Sequence, residues 1–124
     1  MISISNGIVT MNAGDDVTIN IRVNKDGEIL VLSDSDKVMM SVMEPNQKFS
    51  CGVIRKIANS IDEYGNAIIK LSHSDTEDLV PGTYFYQVVL GRKQDDGSYK
   101  YNTVSPKRKF ILMWGFQWFL SIQN

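Results

Sequence analysis

The stretch Leu79-Val80-Pro81-Gly82-Thr83-Tyr84-Phe85-Tyr86-Gln87-Val88-Val89-Leu90 reads as a sharp turn leading into a long strand. After the Pro-Gly break, Tyr84, Tyr86, Val88 and Leu90 recur at every second position, the period that puts them on one side of a strand. Just upstream, Ser74-Asp75-Thr76-Glu77 has the Ser-x-x-Glu form of a capping box, and about one helical turn fits before Pro81. A Tyr just inside a strand, after a short helical turn and a Pro-Gly, is the arrangement of a tyrosine corner, whose phenol bonds back to the backbone across a crossover between strands. Leu79, Pro81, Gly82 and Tyr84 are therefore assigned to a structural corner, which carries no chemistry.

Working outward, the same period of two returns. Val17-Thr18-Ile19-Asn20-Ile21-Arg22-Val23-Asn24 alternates apolar and polar residues and predicts a half-buried strand. Gly7-Ile8-Val9-Thr10-Met11 predicts a strand before it, joined by the turn formers Asn12-Ala13-Gly14-Asp15-Asp16. Ile29-Leu30-Val31-Leu32 is expected as a minor strand or as a loop tucked onto the core. Lys37–Met43 places Val38, Met40 and Val42 on one face and stops at Glu44-Pro45-Asn46, because proline cannot donate to a ladder. Strands are further expected over Ser50–Ala58, Ala67–Leu71 and Tyr99–Tyr101, and over a last segment broken at Ser105-Pro106 and resuming at Lys109–Leu112. About seven strands with Gly and Asp turns and almost no helix predict an all-β fold, an immunoglobulin-like antiparallel β-sandwich with Greek-key connections.

The 124 residues are 43% hydrophobic and 22% charged, the composition of one ordinary globular domain. Residues 1–112 are assigned to the sandwich and residues 113–124 to an aromatic C-terminal tail. A net charge of -1 is no electrostatic footprint for nucleic acid or an anionic membrane, so neither partner is expected. The apolar run from Phe110 to Leu120 is too short for a membrane span of about 20 residues. Met1-Ile2-Ser3-Ile4-Ser5-Asn6-Gly7 lacks the basic and long apolar regions of a secretory signal, so synthesis in a cytoplasm is expected. The lone Cys51 excludes an intrachain disulfide and is expected as a small buried hydrophobe.

Chemistry-bearing patterns are sparse. His73 lies between Ser72 and Ser74 and beside Asp75, but triads assemble in space from separate segments, and His73 is expected as a solvated loop residue. The acid pairs Asp15-Asp16, Asp34 with Asp36, and Asp95-Asp96 lack the alternating ligand pattern of a calcium loop and are expected as turn formers. Neither a glycine-rich phosphate loop nor a Gly-x-Ser-x-Gly elbow occurs in the sequence. Lys107-Arg108-Lys109 is expected on the solvated face of an edge strand. The expectation is a protein that is not an enzyme, with no metal and no cofactor.

The C-terminal segment is unusual. Trp114, Phe116, Trp118 and Phe119 put four of the chain's twelve aromatic residues after the last expected strand, more than a sandwich of this size needs. Either they fold back over a sheet or extend the last strand, or they are buried against a partner, with a homo-oligomer the first choice of partner, since exposed aromatic rows mark interfaces. A carbohydrate-binding β-sandwich is the alternative from another class, with Tyr99, Tyr101, Trp114 and Trp118 as its sugar platforms.

The order of these features resembles a known family. Gly7-Ile8-Val9-Thr10-Met11-Asn12-Ala13-Gly14-Asp15-Asp16, then Asp75-Thr76 with Leu79-Val80-Pro81-Gly82-Thr83-Tyr84-Phe85-Tyr86, then Pro106-Lys107-Arg108-Lys109-Phe110-Ile111, are similar to the N-terminal immunoglobulin-like domain of phage baseplate upper proteins, a resemblance that covers about residues 7 to 112. The resemblance implies a non-enzymatic structural protein of a phage or prophage tail baseplate. Such a protein is made in the bacterial cytoplasm, resides in the virion and docks other tail proteins. Past Leu112 the sequence departs from the family pattern.

Overall fold

The computed structural model describes residues 2–5, 7–25 and 27–114. The strands are β1 (Ile2–Ser5), β2 (Ile8–Asn12), β3 (Val17–Ile21), β4 (Val23–Lys25), β5 (Glu28–Leu30), β6 (Lys37–Met43), β7 (Ile54–Ile57), β8 (Ser60–Ile61), β9 (Ala67–Leu71), β10 (Gly82–Lys93), β11 (Tyr99–Thr103) and β12 (Arg108–Met113). A 3-10 turn covers Phe49–Cys51, and one short helix, α1, covers His73–Thr76.

Two sheets enclose one core. The larger runs β1-β2-β12-β10-β6-β7 with β11 also on β10, and the smaller runs β3-β9-β8. Val9, Met11, Val38, Met40, Val42, Tyr84, Tyr86, Val88, Leu90, Phe110 and Leu112 of the first form one apolar cluster with Val17, Ile19, Ala67, Ile69 and Leu71 of the second. This is an all-β sandwich, and most of its ladders are antiparallel. One ladder is parallel, between β12 and β2. β10 organises the large sheet. One edge pairs with β6, while the other pairs with β12 over Gly82–Tyr86 and with β11 over Val89–Lys93. The break at Ser105-Pro106 divides those two partners, and Val104 and Ser105 still hold Val88 by 2.9 and 3.1 Å hydrogen bonds.

Several details differ from the sequence expectations. The Val17–Asn24 segment is not one strand, because the ladder with β9 ends at Ile21 and β4 turns to pair with β5. Ile29–Leu32 does both things expected of it, since Leu30 ends β5 and Leu32 is buried. Of the expected Ser50–Ala58 strand only β7 is extended. The 3-10 turn before it caps the outer face of β6, where the buried Ser41 hydroxyl donates to the Phe49 carbonyl at 2.7 Å. Cys51 is exposed and not buried, because this turn places it on the solvent side of that cover. The basic triplet does not border an edge strand, because β12 lies between β10 and β2. The capping box sits two residues earlier than the Ser74–Glu77 pattern, with Ser72 as its cap and Asp75 accepting the Ser72 N–H at 2.7 Å.

Candidate functional site

The corner forms around Tyr84. α1 is followed by a bond from the Leu79 N–H to the Thr76 carbonyl at 3.1 Å, and the chain then enters β10. The Tyr84 hydroxyl donates to the Val80 carbonyl at 2.6 Å while its ring is buried in the core. Leu79 packs against that core and Val80 stays exposed. Burial, with a smaller contribution from the charge of Glu44, raises the Tyr84 pKa above that of an ordinary phenol. Two residues on, the Tyr86 hydroxyl donates to the Gly7 carbonyl at 2.6 Å and ties the start of β2 to β10.

Beside the corner, the β2–β3 turn is clasped to α1. The Gly14 N–H donates to the buried Thr76 hydroxyl at 2.8 Å, and the His73 N–H donates to Asp16 at 2.6 Å. The two ring nitrogens of His73 lie 2.6 Å from the Gly14 carbonyl and 2.5 Å from the Glu77 carboxylate. A carbonyl only accepts, so Nδ1 carries a proton, and the imidazolium satisfies both neighbours at once. The Gly14 carbonyl raises the His73 pKa most, the charges of Glu77 and Asp16 add to it, and desolvation opposes them. His73 is thus a structural link and not a free loop residue. Lys56 pairs with Asp75 at 2.9 Å on the same side.

The clasp also marks where β12 ends. The Ala13 N–H, next to Gly14, donates to the Met113 carbonyl at 2.9 Å. There Met113 and Trp114 are 49% and 63% exposed, two large apolar side chains in succession. Phe116, Trp118 and Phe119, assigned with Trp114 to an interface, lie outside the described residues.

The acid pairs serve turns and ion pairs. Asp36 accepts a fork from Arg92 at 3.1 and 3.2 Å, and Asp96 accepts from the Ser98 N–H and hydroxyl at 2.9 and 2.6 Å. Burial opposes ionisation of Asp36, but the Arg92 and Ser33 hydrogen bonds prevail and hold its pKa below the usual carboxylate range. Among the described residues no three His, Cys, Asp or Glu side chains converge as a metal site. A cleft of about 280 Å³ opens between the sheets, lined chiefly by Val9, Ile19, Ile21, Val88, Val104 and Arg108. Among the described residues no helix is long and apolar enough to cross a membrane. Tyr99 and Tyr101, the other proposed aromatics, stand together on β11 with ring centroids 6.2 Å apart. Compared with known proteins, the chain matches no family model and no curated sequence.

Proposed function

We propose that this chain is a non-enzymatic structural protein of a phage or prophage tail baseplate, a docking module for other tail proteins that also associates with itself. The observation that carries the reading is the exposed pair Met113-Trp114 at the clasped end of β12, directly before Phe116, Trp118 and Phe119. Large apolar side chains exposed on a folded surface mark a contact with another chain. The sequence resemblance supports the baseplate assignment. The strand order β3-β9-β8 facing β2-β12-β10-β6-β7, with the Tyr84 corner between β9 and β10, supports an immunoglobulin-like Greek key. In this reading the protein is made in the bacterial cytoplasm and resides in the virion. The test is mass spectrometry of purified virions from the host that carries the gene. Its peptides are expected in the tail fraction, and their absence from intact particles contradicts the reading.

A second reading, a carbohydrate-binding β-sandwich, is favoured by one observation: Tyr101 is half-exposed and stacks with Tyr99 on the flank of β10.

A further inference from the structure

The outer face of the large sheet carries an aromatic surface that the docking reading leaves unused. Gly91 of β10 pairs with Tyr101 of β11 on one side and with Lys37 of β6 on the other, and Lys93 pairs with Tyr99. Directly opposed residues share a face, as do residues two apart along a strand. Leu90 faces the core, so Lys37, Gly91, Lys93, Tyr99 and Tyr101 stand together on the outer face.

Gly91 is what lets Tyr101 lie down. A Cβ at Gly91 would sit 2.6 Å from Cε1 and 2.8 Å from Cδ1 of Tyr101, so the ring occupies the space a side chain would fill. Tyr99 stacks beside it with planes 25° apart, and Lys37 Nζ lies 4.2 Å from the Tyr99 ring centre, in cation–π range. The Tyr99 ring thereby meets both an ammonium group and a second ring, while Tyr101 stays 51% exposed. A backed, oriented and half-open aromatic ring on a flat sheet is a stacking platform.

We propose that Tyr101, with Tyr99 as its wall and Lys37 and Lys93 at its margin, binds a glycan that carries uronic acid sugars. A pyranose ring presents C–H groups on one face, and these meet the negative face of an aromatic ring. The shallow, open surface suits a chain laid along it. Charge selects the kind of sugar: the five positions carry two ammonium groups and no carboxylate. Asp36, next to Lys37 in sequence, is paired with Arg92, and the charged Asp95 and Asp96 belong to the β10–β11 turn beyond Lys93. Nucleobases also stack on tyrosine, but such sites track a basic groove, and this chain has a net charge of -1. The proposal rests on the carbohydrate reading and is independent of the C-terminal aromatic residues.

The test titrates the full chain by calorimetry with a short oligogalacturonide, a neutral maltooligosaccharide and an oligothymidylate. The oligogalacturonide is expected to bind, more weakly as salt rises, and the neutral sugar to bind about tenfold or more weakly. Tyr101→Ala and Lys37→Gln are each expected to weaken binding about tenfold, with Tyr101→Phe near wild type. If Tyr101→Ala fails to fold, Lys37→Gln and Lys93→Gln carry the test. Binding that survives these changes but is lost in Trp114→Ala overturns the site and leaves the carbohydrate reading standing. No sugar binding at all overturns both. Equal binding of the neutral sugar, or preferred binding of the oligothymidylate, overturns the ligand class.

Discussion

Nδ1 of His73 lies 2.6 Å from the carbonyl oxygen of Gly14, a residue 59 positions earlier in the chain. This contact joins α1 to the β2–β3 turn, and the turn in turn holds the end of β12 through Ala13 and Met113. The His73 pKa is raised in the folded protein, so the folded state binds the proton more tightly than the unfolded chain does. The stabilisation is fully present below the unfolded histidine value of about 6.5 and is lost as pH rises through the higher folded value. Melting temperature should therefore fall as pH rises above about 6.5, and His73→Gln should flatten that slope. Thermal melts of both forms across that range check it, and identical slopes would show that the clasp does not titrate.

Removing the corner hydroxyl isolates one bond. Tyr84→Phe keeps the buried ring and loses the 2.6 Å bond to the Val80 carbonyl. Val80 is exposed, so water can reach the abandoned acceptor, and the cost should be about 1 kcal/mol by urea denaturation. Tyr86→Phe should cost a similar amount by freeing the Gly7 carbonyl. Unchanged stability in both would mean that neither phenol bond holds the fold.

Space, not backbone strain, sets the third expectation. Gly52 has φ -59°, a value any residue adopts, yet an added Cβ would meet the Ser41 hydroxyl at 2.1 Å and the Val42 carbonyl oxygen at 2.6 Å. Backbone cannot swing aside as a side chain can. Gly52→Ala should therefore cost about 2 to 3 kcal/mol, whereas Gly27→Ala meets nothing within 4 Å and pays only for its positive φ. Chemical denaturation of the two variants compares them directly.

What was legible in the sequence was periodic or local. The alternation at Tyr84, Tyr86, Val88 and Leu90 predicted their shared burial, and the Pro81-Gly82 break predicted the corner. Ile2-Ser3-Ile4-Ser5 alternates as well and runs into the hairpin dipeptide Asn6-Gly7, and β1 forms there. Ser72-x-x-Asp75 and Ser74-x-x-Glu77 both satisfy the capping-box pattern, and only the tertiary contacts of His73 select the first. Those contacts, and the Gly91–Tyr101 pairing, join residues that no spacing rule connects. Residue type alone predicts burial for Cys51, yet it is exposed, because the cover over β6 is made by the Ser41–Phe49 bond and the close fit of Gly52.

If the aromatic C-terminal segment is the docking surface, light scattering of the full chain shows it. Aromatic side chains bury ~150 to 250 Å² each, so Trp114, Phe116 and Trp118 together supply a large part of the ~800 Å² per partner of a stable interface. The wild-type chain is predicted to be an oligomer. The chain with Trp114→Ser, Phe116→Ser and Trp118→Ser is predicted to be a monomer at the same concentration, with an unchanged β-type circular dichroism spectrum. A monomeric wild type, or a substituted chain that keeps the oligomer, would contradict the account.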